Sequence, residues 1–144
     1  MSYTEHEHIR EWMTEHESYV LDQRYSQSFH QYLESLPWNP SRIDWSEVPH
    51  TFISMEEGED EVVSRLSGMP IGRHSYVMVN YHDSDNSILC RAEDAFRDAG
   101  VLYMRSPGPR YMCGADVEGN TTVLAVKDFA ECDLPGFTAR VNEK

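Results

Sequence analysis

Apolar residues recur at helical spacing through the first 36 residues of the chain. Thr4 with Glu7 forms a capping-box signature at the start, and Pro37 ends the pattern. One helix of about 30 residues fits this pattern. We favour two helices or one bent helix, because Ser28 with Gln31 repeats the capping signature beside an expected break at Tyr25-Ser26. The residues at this spacing would form the apolar face of an amphipathic helix; they are Ile9, Trp12, Met13, His16, Val20, Leu21, Tyr25, Phe29, Leu33 and Leu36.

Loop, strand and helix signals follow one another between residues 37 and 68. Three prolines mark the first part as a loop, and Trp38 and Trp45 are expected to pin it onto the core because each indole buries a large apolar area. Ser54 with Glu57 is another capping signature, and Gly68 is a typical helix stop. The predicted elements are a loop over 37–50, a short strand over 51–55 and a helix that ends near Ser67.

A strand–helix–strand unit is predicted next. Residues 75–81 are rich in β-branched and aromatic side chains, which indicates a buried strand. Residues 83–87 form a turn that can cap a helix, and the apolar residues over 88–99 recur at helical spacing up to Gly100. Residues 101–104 are then a second strand. Two strands joined through a helix form a parallel pair with a right-handed crossover.

The last third of the chain predicts a hairpin followed by a tail. A turn precedes a strand over 110–117, and Glu118-Gly-Asn120 is a hairpin turn that leads into a strand over 121–126. The tail is expected to be irregular and to be tied down by Phe129, Leu134 and Phe137. The chain, 1–144, is therefore predicted to be a single α+β domain. Its parts are a helical segment over 1–36, a mixed sheet of four to five strands with one or two packed helices over 51–127, and an irregular tail over 128–144.

The net charge of −13 narrows the classes of partner. Residues 1–72 carry 14 acids against 4 arginines, whereas residues 73–144 carry 11 acids against 8 basic residues. The first half thus has a charge of −10 and the second half a charge of −3. A field of that sign repels nucleic acid and anionic membranes and attracts basic protein surfaces. We therefore expect a basic protein partner, with no direct binding of nucleic acid or membrane.

The cysteines and the N-terminal residues indicate the cellular compartment in which the protein is expected. Cys90, Cys113 and Cys132 are widely spaced and form no C-x-x-C, so neither a disulfide framework nor a zinc knuckle is expected. No segment reaches the roughly 20 apolar residues of a membrane span. The acidic N-terminus also differs from a targeting sequence. The chain is expected to be cytoplasmic, with reduced and mostly buried thiols.

Asp83-x-Asp85 is the sharpest local motif, and it follows the predicted strand. The run from Asp83 to Leu89 resembles the nucleophile motif of haloacid-dehalogenase-like phosphatases, in which Asp-x-Asp-Gly-Thr follows a buried strand. The resemblance implies that Asp83 is a nucleophile, that Asp85 is a general acid and base, and that Mg²⁺ binds between Asp83 and a substrate phosphate. Asn86 and Ser87 replace the glycine and threonine of that family. The alternative, which we favour, is that these side chains cap the following helix.

The histidines and a run of acids are further candidates. His8 and His16 share a helix face, but at 1.5 Å per residue they lie about 12 Å apart, which is too far for one metal ion. We therefore expect no metal and no cofactor. The run of acids suits the positive end of a helix dipole, and it is also our candidate docking surface for a basic partner. It consists of Glu56, Glu57, Glu59, Asp60 and Glu61.

A binding protein is favoured over an enzyme, and no catalytic residue is predicted. The chain contains no Gly-rich phosphate loop and no G-x-S-x-G elbow. In its size and acidity it is similar to the immunity proteins that bacteria make against their own toxins, and to nucleic-acid-mimicking inhibitors. The partner would then be a toxin or a nucleic-acid-processing enzyme. Two alternatives stay open: a small Mg²⁺-dependent phosphohydrolase that uses Asp83 and Asp85, and a regulatory or self-associating domain that pairs through its N-terminal helix.

Overall fold

An antiparallel sheet of seven strands forms the centre of the computed structural model. The structure describes residues 3–40, 42–104, 106, 108–133 and 135–141. The helices are α1 (Glu7–Glu15), α2 (Gln23–Glu34), α3 (Glu59–Ser67), α4 (Ala92–Arg97) and α5 (Ala99–Leu102). The strands are β1 (Ser18–Leu21), β2 (Trp38–Asn39), β3 (Arg42–Ile43), β4 (His50–Ser54), β5 (Tyr76–Asn80), β6 (Ser87–Arg91), β7 (Arg110–Glu118), β8 (Thr121–Asp133) and β9 (Gly136–Arg140). β2 and β3 form a separate small hairpin.

The strands of the large sheet lie in the order β1-β6-β5-β7-β8-β9-β4, and all neighbours are antiparallel. The ladder between β7 and β8 is interrupted, because Cys113 pairs with Phe129 whereas Gly114 pairs with Ala125. Residues 126–128 therefore form a bulge. Beyond it, β7 and β8 continue as a hairpin arm that turns at Gly119, whose φ of 64° costs glycine little. β1 and β4 are the outer strands.

Helices cover both faces of this sheet. α1, α3, α4 and α5 pack on one face, together with buried residues such as Val77 and Val79. α2 and the loop that follows it pack on the other face, together with Met78 and Phe129. Successive side chains of a strand point to opposite faces. The inner strands therefore bury both sets of side chains and read as continuous apolar runs.

The predicted N-terminal helical segment is two helices with a strand between them. The break lies at residues 16–22 and not at Tyr25-Ser26, because β1 pairs with β6. Asp22 caps α2 and accepts a hydrogen bond from the Arg24 N–H at 3.0 Å, while α1 follows His6. Neither predicted capping box therefore marks the start of an α-helix. The helical pattern continued across the break because a strand of four residues is too short to show its own alternation.

The predicted strand–helix–strand unit with its parallel pair is wrong. β5 confirms the first strand, but residues 87–91 form β6, which returns antiparallel to β5. α4 begins only at Ala92, and residues 101–104 lie in α5 and the turn after it. Ile88, Leu89 and Cys90 are all buried, because β6 lies inside the sheet. A strand buried on both faces shows no alternation, so its apolar run fits a helix equally well.

The prediction of an irregular tail is also wrong. β8 continues to Asp133, and β9 follows it as a further strand. Phe129 and Phe137 are fully buried, as expected of anchors, whereas Leu134 lies outside the described residues. β1, β6 and β9 are the strands of the large sheet that were not predicted, and they raise it from four or five strands to seven. The small hairpin of β2 and β3 lies where a loop was expected. The α+β class itself is confirmed.

Several local signals between residues 38 and 68 are confirmed. Ser54 and Glu57 form a capping box that opens a short 3-10 helix (Met55–Glu57) ahead of α3. α3 ends at Ser67, with Gly68 as its C-cap. Of the two loop tryptophans, Trp45 is half-buried against Phe129, whereas Trp38 is 41% exposed. Trp45 thus helps to hold the loop, together with the buried Ile43 and Val48.

Candidate functional site

Half of the described carboxylates lie on one layer of the molecule. The layer of α1, α3, α4 and α5, taken as residues 3–15, 55–67 and 92–102, carries twelve acids against three arginines. The described part of the opposite layer, residues 22–49, carries four acids against two arginines. We call the outer surface of the first layer the acidic face. Its acids are Glu5, Glu7, Glu11, Glu15, Glu56, Glu57, Glu59, Asp60, Glu61, Glu93, Asp94 and Asp98.

The helices beneath the acidic face form a continuous and ordered support. α1 packs against α5, α5 against α4, and α4 against α3. Trp12 of α1 donates its indole N–H to the Asp98 carboxylate at 2.8 Å, and the His16 ring stacks on that indole at 4.3 Å. These contacts hold α1 in place beside α5. The acids of α1 and of α3 therefore stand on one fixed surface rather than on a free acidic segment.

The predicted docking cluster spans the 3-10 helix over Met55–Glu57 and the first turn of α3. The Ser54 hydroxyl accepts the Glu56 N–H at 3.2 Å, and the Glu57 carboxylate accepts the Ser54 N–H at 3.3 Å. Glu57 is also bound by Arg65 at 2.7 Å and 2.9 Å, so its role is structural. The other four acids of the cluster are exposed, and none of them forms an ion pair within the described chain. These four are Glu56, Glu59, Asp60 and Glu61.

Asp83 and Asp85 lie in the loop of the β5–β6 hairpin. One Asp85 carboxylate oxygen accepts the backbone N–H of Tyr3 at 3.1 Å, and the other accepts the Asn86 N–H at 2.8 Å. Asp83 instead lies 2.8 Å from the exposed His82 ring. The strand–loop–helix setting that the phosphatase resemblance implies is not formed. Helix capping is also wrong, because β6 follows the loop and Asp85 fastens the N-terminal segment to the hairpin.

His8 and His16 were expected to share a helix face, but α1 ends at Glu15 and His16 follows it in extended backbone. His16 binds the Trp12 carbonyl through Nδ1 at 2.8 Å, and the His6 ring stacks on Tyr3. Within the described residues, no group of three or more histidine, cysteine or acidic side chains is arranged to hold a metal ion.

Sequence reasoning missed a histidine that is held between two carboxylates. His74 Nε2 lies 2.7 Å from Asp128, and its Nδ1 lies 3.1 Å from Asp116. The ring fits against Gly114, where a Cβ would lie 2.3 Å from it. Burial lowers the pKa of His74, but the hydrogen bonds and charges of Asp128 and Asp116 outweigh burial and leave that pKa raised. Both ring nitrogens are occupied, so His74 ties the turn before β5 to the hairpin arm.

A buried carboxylate, Glu131, was also missed. Its side chain is only 3% exposed, and one oxygen accepts hydrogen bonds from the Tyr111 hydroxyl at 3.2 Å and from the Trp45 indole at 3.3 Å. The other oxygen lies 3.6 Å from Arg42, which also binds Asp133 at 2.7 Å. Burial, followed by the charge of Glu131, raises the pKa of Tyr111. The protonated phenol therefore remains a donor to the carboxylate.

No local signal in the sequence marks these two clusters. Their bonded partners are separated by between 20 and 91 residues, and only the fold brings them together. An acid in an otherwise apolar run, as at Glu131, is the one available hint, because a buried charge requires partners.

A buried polar network joins α2 to the sheet. The hydroxyls of Ser26 and Ser87 lie 2.6 Å apart, Asn80 donates to Ser87 at 3.0 Å, and His30 binds the Asn80 oxygen at 2.7 Å. Asn80 separates the imidazole from both hydroxyls, so the arrangement is not a serine–histidine nucleophile. Its hydrogen bonds satisfy polar groups that packing would otherwise leave buried and unpaired.

The three cysteines are buried free thiols. Burial raises the pKa of Cys90 and of Cys113, and it raises the pKa of Cys132 to about 12. Because the thiolate is the nucleophile, thiols in this state are unreactive. Among the helices of the described residues, none has the length and apolar character to cross a bilayer.

Neither a protein-family model nor a curated protein matches this chain. Its function is therefore inferred from the surface itself.

Proposed function

We propose that this chain is a protein-binding module that covers a basic surface of another protein with its acidic face. The observation that carries the proposal is the asymmetry of charge: twelve acids against three arginines on one helical layer, compared with four acids against two on the described part of the other. The mechanism is steric and electrostatic. The bound module occupies the cationic surface and prevents an anionic substrate from reaching it.

The arrangement suits rapid and selective association. A concentrated anionic surface steers a cationic partner into encounter and disfavours partners of like charge. The support is ordered, since Trp12 and Asp98 hold α1 and the capping box at Ser54 holds the start of α3. Less conformational entropy is then lost on binding than with a flexible acidic tail. A toxin or nucleic-acid-processing enzyme with a cationic cleft has the chemistry of such a partner, as in the immunity-type and nucleic-acid-mimicking inhibitors.

Two variants with equal changes of charge test the proposal. The first is Glu59→Gln, Asp60→Asn and Glu61→Gln on α3, and the second is Glu34→Gln, Glu47→Gln and Glu118→Gln away from the acidic face. All six side chains are exposed. Each purified protein is used for affinity capture from a lysate at low and at high salt, and captured proteins are then tested singly for binding and inhibition.

We expect the parent and the second variant to retain a basic protein at low salt and to release it at high salt. The α3 variant should bind that protein about tenfold more weakly or worse. Equal losses in the two variants would mean that net charge alone is recognised. Failure of the parent to retain any basic protein at low salt would refute the proposed function.

A further inference from the structure

Strand β4 is an outer strand of the sheet, and its inner side is paired with β9. Two hydrogen bonds flank the paired region. The Val141 N–H donates to the Pro49 carbonyl at 3.1 Å, and the Met55 N–H donates to the Pro135 carbonyl at 2.8 Å. In an antiparallel ladder, hydrogen-bonded pairs alternate with non-bonded pairs. Positions 49, 51, 53 and 55 therefore make the bonds to β9.

The even-numbered residues of β4 direct their backbone groups outward. The Ser54 N–H is taken by the Glu57 carboxylate at 3.3 Å. The N–H and C=O groups of His50 and Phe52 face the open side, where no described strand pairs with them. These two positions can accept the hydrogen bonds of an added strand.

The open edge lacks the features that usually prevent strands from pairing. Outer strands commonly carry lysine, proline or a bulge, whereas β4 reads His-Thr-Phe-Ile-Ser. The Phe52 side chain is 60% exposed. Its ring lies over Gly136 of β9, where a Cβ would lie only 2.5 Å from the ring. Gly136 thus leaves room for the Phe52 ring on the face of the sheet over β9.

A cleft with a surplus of carboxylates adjoins this edge. Phe52 stands in a cross-strand row with Thr138 and Glu131, and the cleft extends from this row to the loop before β4. The one cation that lines the cleft within the described chain is Arg42, which already binds Asp133 and lies 3.6 Å from Glu131. The carboxylates of the cleft are Asp44, Glu131 and Asp133, and its aromatic rings are Trp45 and Phe52. Carboxylates and aromatic faces together favour an added cationic side chain.

The open edge is also continuous with the acidic cluster. β4 ends at Ser54, and Glu56 and Glu57 follow directly in the 3-10 helix. A strand laid along β4 would therefore have exposed carboxylates at one end and the anionic cleft at its side. A second copy of this chain is a poor occupant, because each copy carries a net charge of −13.

We propose that β4 accepts an extended, arginine- or lysine-bearing segment of the partner as an eighth strand of the sheet, with a cationic side chain over Phe52 beside the carboxylates of the cleft. This inference rests on the proposed function and specifies how the basic partner is recognised. The added strand gains affinity from backbone hydrogen bonds to His50 and Phe52. It gains selectivity from the charge and the rings of the cleft.

The probe for this inference is a capped peptide of about eight residues in which arginine alternates with valine or threonine. Binding is measured by titration calorimetry at low salt, and the site is located by amide hydrogen exchange. A second peptide of the same sequence is N-methylated at alternate residues, which removes backbone donors and keeps the charge. In a third peptide, glutamate replaces arginine.

The matched protein variants are Phe52→Pro and Phe52→Ala. Both remove the ring, but only proline removes the outward N–H, and an edge position tolerates proline when its N–H is not used in the ladder. Unfolding curves show whether each variant is folded. Should Phe52→Pro fail to fold, the N-methylated peptide tests the same hydrogen bonds on the unchanged protein.

We expect the arginine peptide to slow exchange of the Phe52 amide. We expect N-methylation and Phe52→Pro each to weaken binding about tenfold or more relative to their controls. Slowed exchange confined to α1 and α3, or binding indifferent to N-methylation, would overturn this inference while leaving the acidic face as a binding surface. The proposed function fails separately, when no basic protein is captured at low salt whatever the peptide does.

Discussion

His74 joins three separate segments of the chain through one imidazole ring. Burial alone would lower its pKa, but Asp128 and Asp116 raise it. The charged form is thus favoured in the folded state. The contribution of charged His74 to the free energy of unfolding is fully present below the pKa of histidine in the unfolded chain, which is about 6.5. That contribution is lost as the pH rises through the higher pKa of His74 in the folded protein.

The first prediction concerns His74→Gln, which keeps a polar side chain but cannot carry charge. We expect the parent to exceed the variant in unfolding free energy by about 1.5–3 kcal/mol near pH 5.5. The difference should shrink toward pH 8.5, because deprotonation removes the charge from the parent ring. Urea unfolding at both pH values measures it. A difference that is constant or grows with pH would contradict this account of His74.

The second prediction concerns Glu131, a buried carboxylate with two uncharged donors. In Glu131→Ala the Trp45 indole and the Tyr111 hydroxyl lose their acceptor, at a cost of about 1–3 kcal/mol for each orphaned donor. Glu131→Gln keeps an acceptor oxygen and should recover at least half of that loss. Urea unfolding of the two variants at neutral pH compares them. Equal destabilisation would show that the negative charge, rather than the acceptor, is what the donors require.

At the residue scale, sequence patterns locate side chains whose role depends on near neighbours. Ser54 and Glu57 are three positions apart, and their capping box was predicted and is formed. His74 and Glu131 depend on partners that the fold brings from distant parts of the chain, and a single sequence does not specify which strands pair or in which register. The acids over 56–61 were recognised from the sequence as a run of charge. The structural role of Glu57 became visible only in the fold, where Arg65, one helix turn after the end of the run, binds it.

Gly58 shapes the element that carries the acidic cluster. It joins the 3-10 helix to α3 at φ 98° and ψ 152°, a region that is essentially limited to glycine. No heavy atom lies within 4 Å of a Cβ added there, so any cost of a side chain at this position comes from the backbone alone.

The third prediction is that Gly58→Ala lowers the unfolding free energy by about 1–3 kcal/mol. Gly68→Ala is the matched control, because Gly68 ends the same helix at φ −85° and an added Cβ there meets its nearest atom at 3.5 Å. The control should change stability by less than about 1 kcal/mol. Thermal unfolding of both variants tests the difference. Equal decreases in stability for Gly58→Ala and Gly68→Ala would show that the destabilisation comes from helix capping rather than from the backbone conformation at Gly58.

At the element scale, the helices with one exposed side were the predictable ones. α2 and α3 show a clear polar face, and both were expected where they occur, although the break ahead of α2 was misplaced. β6 and the end of β8 are buried on both faces, so their apolar runs carry no period that separates strand from helix. β1 and β4 are short outer strands, and only β4, with its capping box directly after it, had a local signal.

For the whole molecule, the sequence showed that the acids are unevenly distributed along the chain, but it did not show where they lie on the folded surface. The half that was expected to be acidic contributes α1 and α3 to one layer and α2 to the other. Folding therefore divides that half between the two faces of the sheet. The acidic face is completed by Glu93, Asp94 and Asp98, which come from the other half. A surface made from three separated segments can be recognised only when the fold is known.

The fourth prediction concerns the free protein in salt. Carboxylates crowded on one layer repel each other, and the Debye length falls from about 30 Å at 0.01 M to about 10 Å at 0.1 M ionic strength. We expect the melting temperature of the parent to rise by about 2–5 °C over this range, which corresponds to roughly 1 kcal/mol. Neutralising Glu59, Asp60 and Glu61 should reduce that rise more than neutralising Glu34, Glu47 and Glu118, because the first three stand among other acids. Calorimetric scans of the three proteins at both ionic strengths measure the effect.

The same increase in salt should weaken partner binding. If one acidic face underlies both effects, the stability of the free protein and its affinity for the partner must change in opposite directions. A parent whose melting temperature is independent of salt, or a rise that both sets of substitutions reduce equally, would show that the carboxylates do not act as one surface.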